Sequence, residues 1–141
     1  MNARNIGYWT TTALIALAML SGSAAYFAGV EGPVQGMAAL GYPAYFVTLL
    51  SIWKLLGGLA ILAPRLPRLK EWAYAGIVFD LTGAAYSHAA VGDPAAKVIA
   101  PLVLLGIAAA SWALRPASRR LGAATGEPAR AEARGFAKVA G

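Results

Sequence analysis

The sequence predicts an all-α membrane protein, a four-transmembrane-helix bundle with both termini cytoplasmic. Three observations predict it. Of 141 residues, 59% are hydrophobic and only 13% charged, whereas a soluble domain carries about 25% charged residues on its surface. Four apolar runs, residues 7–29, 43–63, 72–91 and 95–114, each come near the roughly 20 residues that cross a hydrocarbon core. The basic residues cluster beside alternate ends of these runs, the bias that sets orientation in a bilayer.

The first run carries Tyr8 and Trp9 at one edge and Tyr26 and Phe27 at the other, and rings with a polar edge settle at the headgroup level. Residues 1–25 also read as a signal peptide, with a basic start, an apolar stretch and small residues at 21–25. Continuation of the run through Tyr26 and Phe27 favours a retained span. Residues 31–42 dip into the outer interface in this reading, though Pro33, Gly36, Met37 and Leu40 fix no conformation there. The second run opens at Tyr42 and Tyr45 and stops at Pro64, which with Pro67 brackets a turn. Trp72 and Tyr74 open the third run and Tyr86 lies near its end. Asp93-Pro94 opens the fourth, with Asp93 read as a cap and Pro94 as the first helical residue. No run has a sustained polar face, which excludes the buried helices of a soluble bundle. The chain therefore divides into a transmembrane domain, residues 1–116, and a flexible basic cytoplasmic tail, residues 117–141, held loosely to anionic headgroups.

Orientation follows from the connections. Arg4 precedes the first run, Arg65, Arg68 and Lys70 separate the second from the third, and Arg115, Arg119, Arg120, Arg130, Arg134 and Lys138 follow the fourth. The other two connections hold Glu31 and Asp93, with Lys97 as their only nearby base. The positive-inside rule places the termini and the middle connection in the cytoplasm. The net charge of +6 is thus accounted for by membrane orientation and implies no nucleic-acid partner. With no cysteine, the chain itself can form no disulfide, thiolate metal site or Fe–S cluster.

Lys54, Asp80 and His88 interrupt the apolar runs. A charge at mid-membrane costs about 2.5–3.5 kcal/mol on insertion scales, so such residues face a partner or a wet cavity. Lys54 lies roughly 15 Å above the cytoplasmic edge of its span and Asp80 roughly 12 Å above the same edge, at about 1.5 Å per residue. A short turn makes those spans antiparallel neighbours, so an ion pair is expected. The pair reads either as a structural device that fixes helix packing or as the polar floor of a ligand or proton site. Trp53, Ser87 and His88 are the candidate lining of a ligand cavity. His88, near the outer edge, also reads as an interfacial histidine bonded to a serine or carbonyl, with Ser21 and Ser23 at similar depth. One histidine cannot give bis-histidine haem ligation, and no neighbours complete a metal site.

Several blocks carry a family resemblance: Trp9-Thr10, Leu40-Gly41-Tyr42-Pro43, Trp53-Lys54-Leu55-Leu56-Gly57, and above all Leu69-Lys70-Glu71-Trp72-Ala73-Tyr74-Ala75-Gly76 running on to Phe79-Asp80-Leu81-Thr82-Gly83-Ala84. Ser87-His88, Gly92-Asp93 and Leu114-Arg115-Pro116 extend it. Over about residues 8–116 the chain resembles the DoxX-like family of bacterial four-helix integral membrane proteins. The resemblance implies a bundle in the bacterial plasma (inner) membrane. It also implies an association with membrane redox systems, relatives including a thiosulfate:quinone oxidoreductase subunit, or with assembly of membrane proteins. The leading expectation is a non-catalytic subunit that holds a lipophilic, quinone-like ligand for a redox partner, with no covalently bound cofactor and no assigned catalytic residue. An assembly factor or scaffold is the alternative and a small proton or solute transporter the third. The partners expected are the lipid bilayer and either a membrane redox protein or further copies of the chain.

Overall fold

The computed structural model describes residues 2–122, and its regular elements are all helices. Helix α1 (Ala3–Phe27) begins where the Asn2 side chain accepts the backbone N–H of Asn5 at 3.0 Å, the N-cap bond that satisfies one otherwise unpaired donor. It runs unbroken through the small residues Ser21–Ala25. The connection between the first two apolar runs forms a nine-residue helix, α2 (Glu31–Ala39), with no buried residue. Helix α3 (Ala44–Leu62) follows Pro43, and α4 (Pro67–Ala90) opens on Pro67, whose missing N–H costs nothing in a first turn. Between them Arg65 takes a left-handed φ of 57°, so the α3–α4 turn is tight. Gly92, with φ 75°, turns the chain into α5 (Ala95–Leu114). A 3-10 turn at Ala117–Arg119 closes the described chain. Most of the tail expected at residues 117–141 lies outside the described residues.

Asp93 does not cap α5. Pro94 holds the cap position with no side-chain bond, and the Asp93 carboxylate instead lies 2.7 Å from His88 Nδ1 and 3.1 Å from Lys97 Nζ. A charge-assisted contact with the Lys97 ammonium, together with the His88 ring nitrogen, outcompetes a bond to a neutral backbone N–H.

The four long helices pack in a ring, α1 against α3 and α5, and α4 against those same two, while α2 covers the junction of α1 and α3. One end of the ring gathers the start of α1, the end of α3, the start of α4 and the end of α5, as the Arg4–Arg115 and Lys70–Ala60 contacts require. Inside lie Ile15, Ala16, Met19, Ile61, Tyr74, Ile77, Leu81 and Ala108. Gly58 lets α1 approach α3: a Cβ there would meet Leu20 at 2.9 Å. Outside, Leu14, Leu17, Leu56, Leu59, Phe79, Ile99 and Val103 are exposed. An apolar exterior on every long helix is what lipid solvates.

Helices α1, α3 and α5 are long and apolar enough to cross a membrane. Helix α4 has the length, 24 residues or about 36 Å. Lys70, Glu71, Asp80, Ser87 and His88 make it the least apolar of the four.

Candidate functional site

Lys54 projects from the middle of α3 and Asp80 from the middle of α4. Their charged atoms, Lys54 Nζ and Asp80 Oδ2, lie 3.4 Å apart, with the side chains 30% and 12% exposed. Asp80 Oδ2 is buried and makes no hydrogen bond among the described residues. The Lys54 ammonium therefore supplies its compensation, as a charge contact rather than an aligned bond.

Two cavities meet at this pair. The larger, about 700 Å³, is a groove between α3 and α4 lined by Trp53, Leu56, Gly57, Ala60, Trp72, Ala73, Gly76 and Phe79, with Lys54 and Asp80 among its walls. Apart from that pair its walls are apolar. Gly57 and Gly76 have nothing within 4 Å of where a Cβ would stand, so the missing side chains open space instead of admitting a close helix contact. The smaller cavity, about 440 Å³, lies among α1, α4 and α5 and is lined by Met19, Lys54, Asp80, Ala84, His88, Lys97, Pro101 and Leu104.

The residues expected to line one cavity are thus divided. Trp53 faces the groove and His88 the smaller cavity. Ser87 lines neither: its hydroxyl shares a 2.7 Å hydrogen bond with Tyr42 and donates to the Gly83 carbonyl at 2.8 Å. Residues 87 and 88 are adjacent on a helix and so diverge by about 100°, which sends them to different neighbours. His88 finds no serine; Ser23 instead donates to the carbonyls of Met19 and Ser51, at 3.0 and 2.9 Å, tying α1 to α3. Asp93, held by His88 and then Lys97, has its carboxyl below the ordinary aspartate value. Among the described residues no group of three His, Asp or Glu side chains is placed to hold a metal ion.

Sequence reasoning missed the polar end of the ring. Lys70, counted with the loop charges, is fully buried. Its Nζ donates to the carbonyls of Ala60 and Ile61, at 3.0 and 2.7 Å, closing last-turn acceptors of α3 that have no helical partner. Burial first, then the charges of Arg119 and Arg115, lower its pKa to about 8. Arg115 forms an ion pair with Glu71 at 2.8 Å and lies over the Tyr74 and Trp112 rings, while Arg119 lies over Trp9 at 4.7 Å and donates to the Tyr8 hydroxyl. Burial pushes the Glu71 carboxyl up, but the hydrogen bond from Trp112 and the adjacent Arg115 guanidinium outweigh it, leaving the pKa below the ordinary value. A second polar layer lies deeper: Ser111 Oγ is 2.6 Å from Thr12 Oγ1 and 2.7 Å from the Tyr74 hydroxyl, joining α1, α4 and α5. These groups leave no periodic trace, since each is one polar residue in an apolar or loop-like context.

No curated protein and no solved structure matches the chain. The model of the DoxX-like family matches residues 10–111, which take in both cavities and the Lys54–Asp80 pair. This chain, a multi-pass membrane protein by its apolar helices, belongs to the DoxX-like family.

Proposed function

We propose that the protein holds a lipophilic, quinone-like ligand in the α3–α4 groove, as a non-catalytic subunit serving a membrane redox partner. The observation that carries the reading is the groove itself: an apolar space of about 700 Å³ with a lysine–aspartate pair in its wall. Ligand cavities of about 300–1,000 Å³ are mostly apolar, with a few polar groups that fix orientation. Trp53, Trp72 and Phe79, all exposed on this side, offer flat surfaces to a planar ring. The Lys54 ammonium offers the donor a quinone carbonyl needs. His88, across the pair in the other cavity, is not part of this anchor.

The same reading has α4 crossing the bilayer as a fourth span, bacterial plasma membrane as the location, and both ends of the chain in the cytoplasm. Its support is that the polar side chains of α4 have partners within the bundle: Asp80 with Lys54, Tyr74 with Ser111 and Ser87 with Tyr42. One end of the ring carries Arg4, Arg65, Arg68, Lys70, Arg115, Arg119 and Arg120, the arrangement expected of a cytoplasmic face.

The test is extraction of the protein with its surrounding lipid into nanodiscs and quantification of the quinone it carries. Wild type should hold quinone above the membrane background, and Lys54→Met should lose it while eluting as a folded species. Quinone at background level in wild type, with a stably associated protein instead, would replace the ligand reading with the scaffold reading.

A further inference from the structure

We propose that the cavity among α1, α4 and α5 is an aqueous access path that brings water, and with it protons, from the His88 end of the ring to Asp80. The ligand groove and this path would then approach the Lys54–Asp80 pair from lipid and from water respectively.

Three observations carry this. The first is composition. The groove is apolar apart from the pair, whereas the smaller cavity has Lys54 and Asp80 at its inner end and His88 and Lys97 toward the end where α4 gives way to α5. Asp93, in the α4–α5 connection, joins His88 and Lys97 there, at 2.7 and 3.1 Å. Helix α1 contributes Ala18 and Met19 to the lining and no charge.

The second is backbone. Pro101 sits inside α5 and lines this cavity. Proline has no N–H, so the Lys97 carbonyl one turn earlier lacks its helical donor. At membrane depth, backbone without its helical partner is tolerated where it lines a water-filled space or is buried in protein. The third is room. The cavity's volume of about 440 Å³ accommodates on the order of ten waters at roughly 30 Å³ each, and the charged groups along it supply the polar partners that keep such water in place.

The inference goes beyond the ligand reading, since water access requires no ligand. The absence of native cysteine makes it directly testable. Single cysteines are introduced as Ala84→Cys, one turn from Asp80 on this cavity, and Ala100→Cys, nearer its mouth. Gly83→Cys and Val103→Cys place thiols on the exposed faces of the same helices. Native membranes opened to reagent on both sides are treated with a positively charged, membrane-impermeant methanethiosulfonate. A thiol in apolar surroundings stays protonated and inert, so the cavity positions should react at least about tenfold faster than the lipid-facing ones. Ala84→Cys decides. Reaction no faster than at Gly83 and Val103, in a protein that elutes as wild type and labels fully once unfolded in detergent, overturns the proposal. Should Ala84→Cys not elute as wild type, Leu104→Cys on the facing wall reduces side-chain size and gives the same readout. Slow labelling with quinone retained would refute the path alone, and fast labelling without quinone the ligand reading alone.

Discussion

Replacing Lys54 with methionine keeps most of the side chain's apolar length and removes the cation 3.4 Å from Asp80. Breaking a fully buried pair from one side costs about 3–5 kcal/mol, because it strands a buried charge. Here Lys54 is 30% exposed and Asp80 12%, toward the cavities beside the pair, and insertion scales put an uncompensated mid-membrane charge at about 2.5–3.5 kcal/mol, so about 2–3 kcal/mol is the appropriate figure. Asp80→Leu strands the other partner, but lysine can carry its ammonium outward along a flexible stem, so about 1 kcal/mol is expected. Independent effects would give the double variant a loss of about 3–4 kcal/mol. Since Lys54→Met with Asp80→Leu leaves no stranded charge, it should lie within about 1 kcal/mol of wild type. Equilibrium unfolding of all four proteins in bicelles, by steric trapping or detergent titration, measures the cycle. A double variant as unstable as the sum of the singles would refute the argument, because the two charges would then not compensate each other.

Lys70→Met should destabilise the protein by about 1–3 kcal/mol by leaving the buried Ala60 and Ile61 carbonyls without their donor. Because the folded pKa of Lys70, about 8, lies below the ordinary 10.5, the unfolded chain holds this proton more tightly; stability should rise between those pH values, and thermal melts of Lys70→Met should lack that contribution. Ser111→Ala leaves the buried hydroxyls of Thr12 and Tyr74 without their shared partner, a loss of about 1–3 kcal/mol by the same unfolding assay. Gly58→Ala should cost about 1 kcal/mol or more as Leu20 is displaced, while Gly57→Ala one residue away, with nothing within 4 Å, should be neutral or slightly stabilising; equal effects at the two glycines would contradict the α1–α3 packing.

Hydropathy made the helical, membrane-embedded character of the chain legible, because the length of an apolar run and the thickness of a bilayer are directly comparable. Lys54 and Asp80 could be placed at similar depth by counting residues from Pro64 and Trp72, since helical rise is constant across a short antiparallel connection. Side-chain direction was less accessible. Ser87 and His88 are neighbours in the sequence, yet adjacency on a helix separates them onto the Tyr42 and Asp93 sides. In sequence Lys70 looks like a loop charge because Pro64 and Pro67 punctuate its surroundings; that α4 begins at Pro67 and aims Lys70 under the end of α3 depends on the turn at Arg65. The α2 helix was not legible either, as its nine residues include Pro33 and two glycines and bury nothing.

The groove is the centre of this account, and photo-crosslinking tests it most directly. A photoreactive quinone added to native membranes should label the α3 and α4 segments around Trp53, Trp72 and Phe79. Excess unlabelled quinone should compete that labelling away, and Lys54→Met should weaken it. Labelling that spreads over the exposed faces of α1 and α5 as readily as over the groove, and resists competition, would contradict a ligand site between α3 and α4.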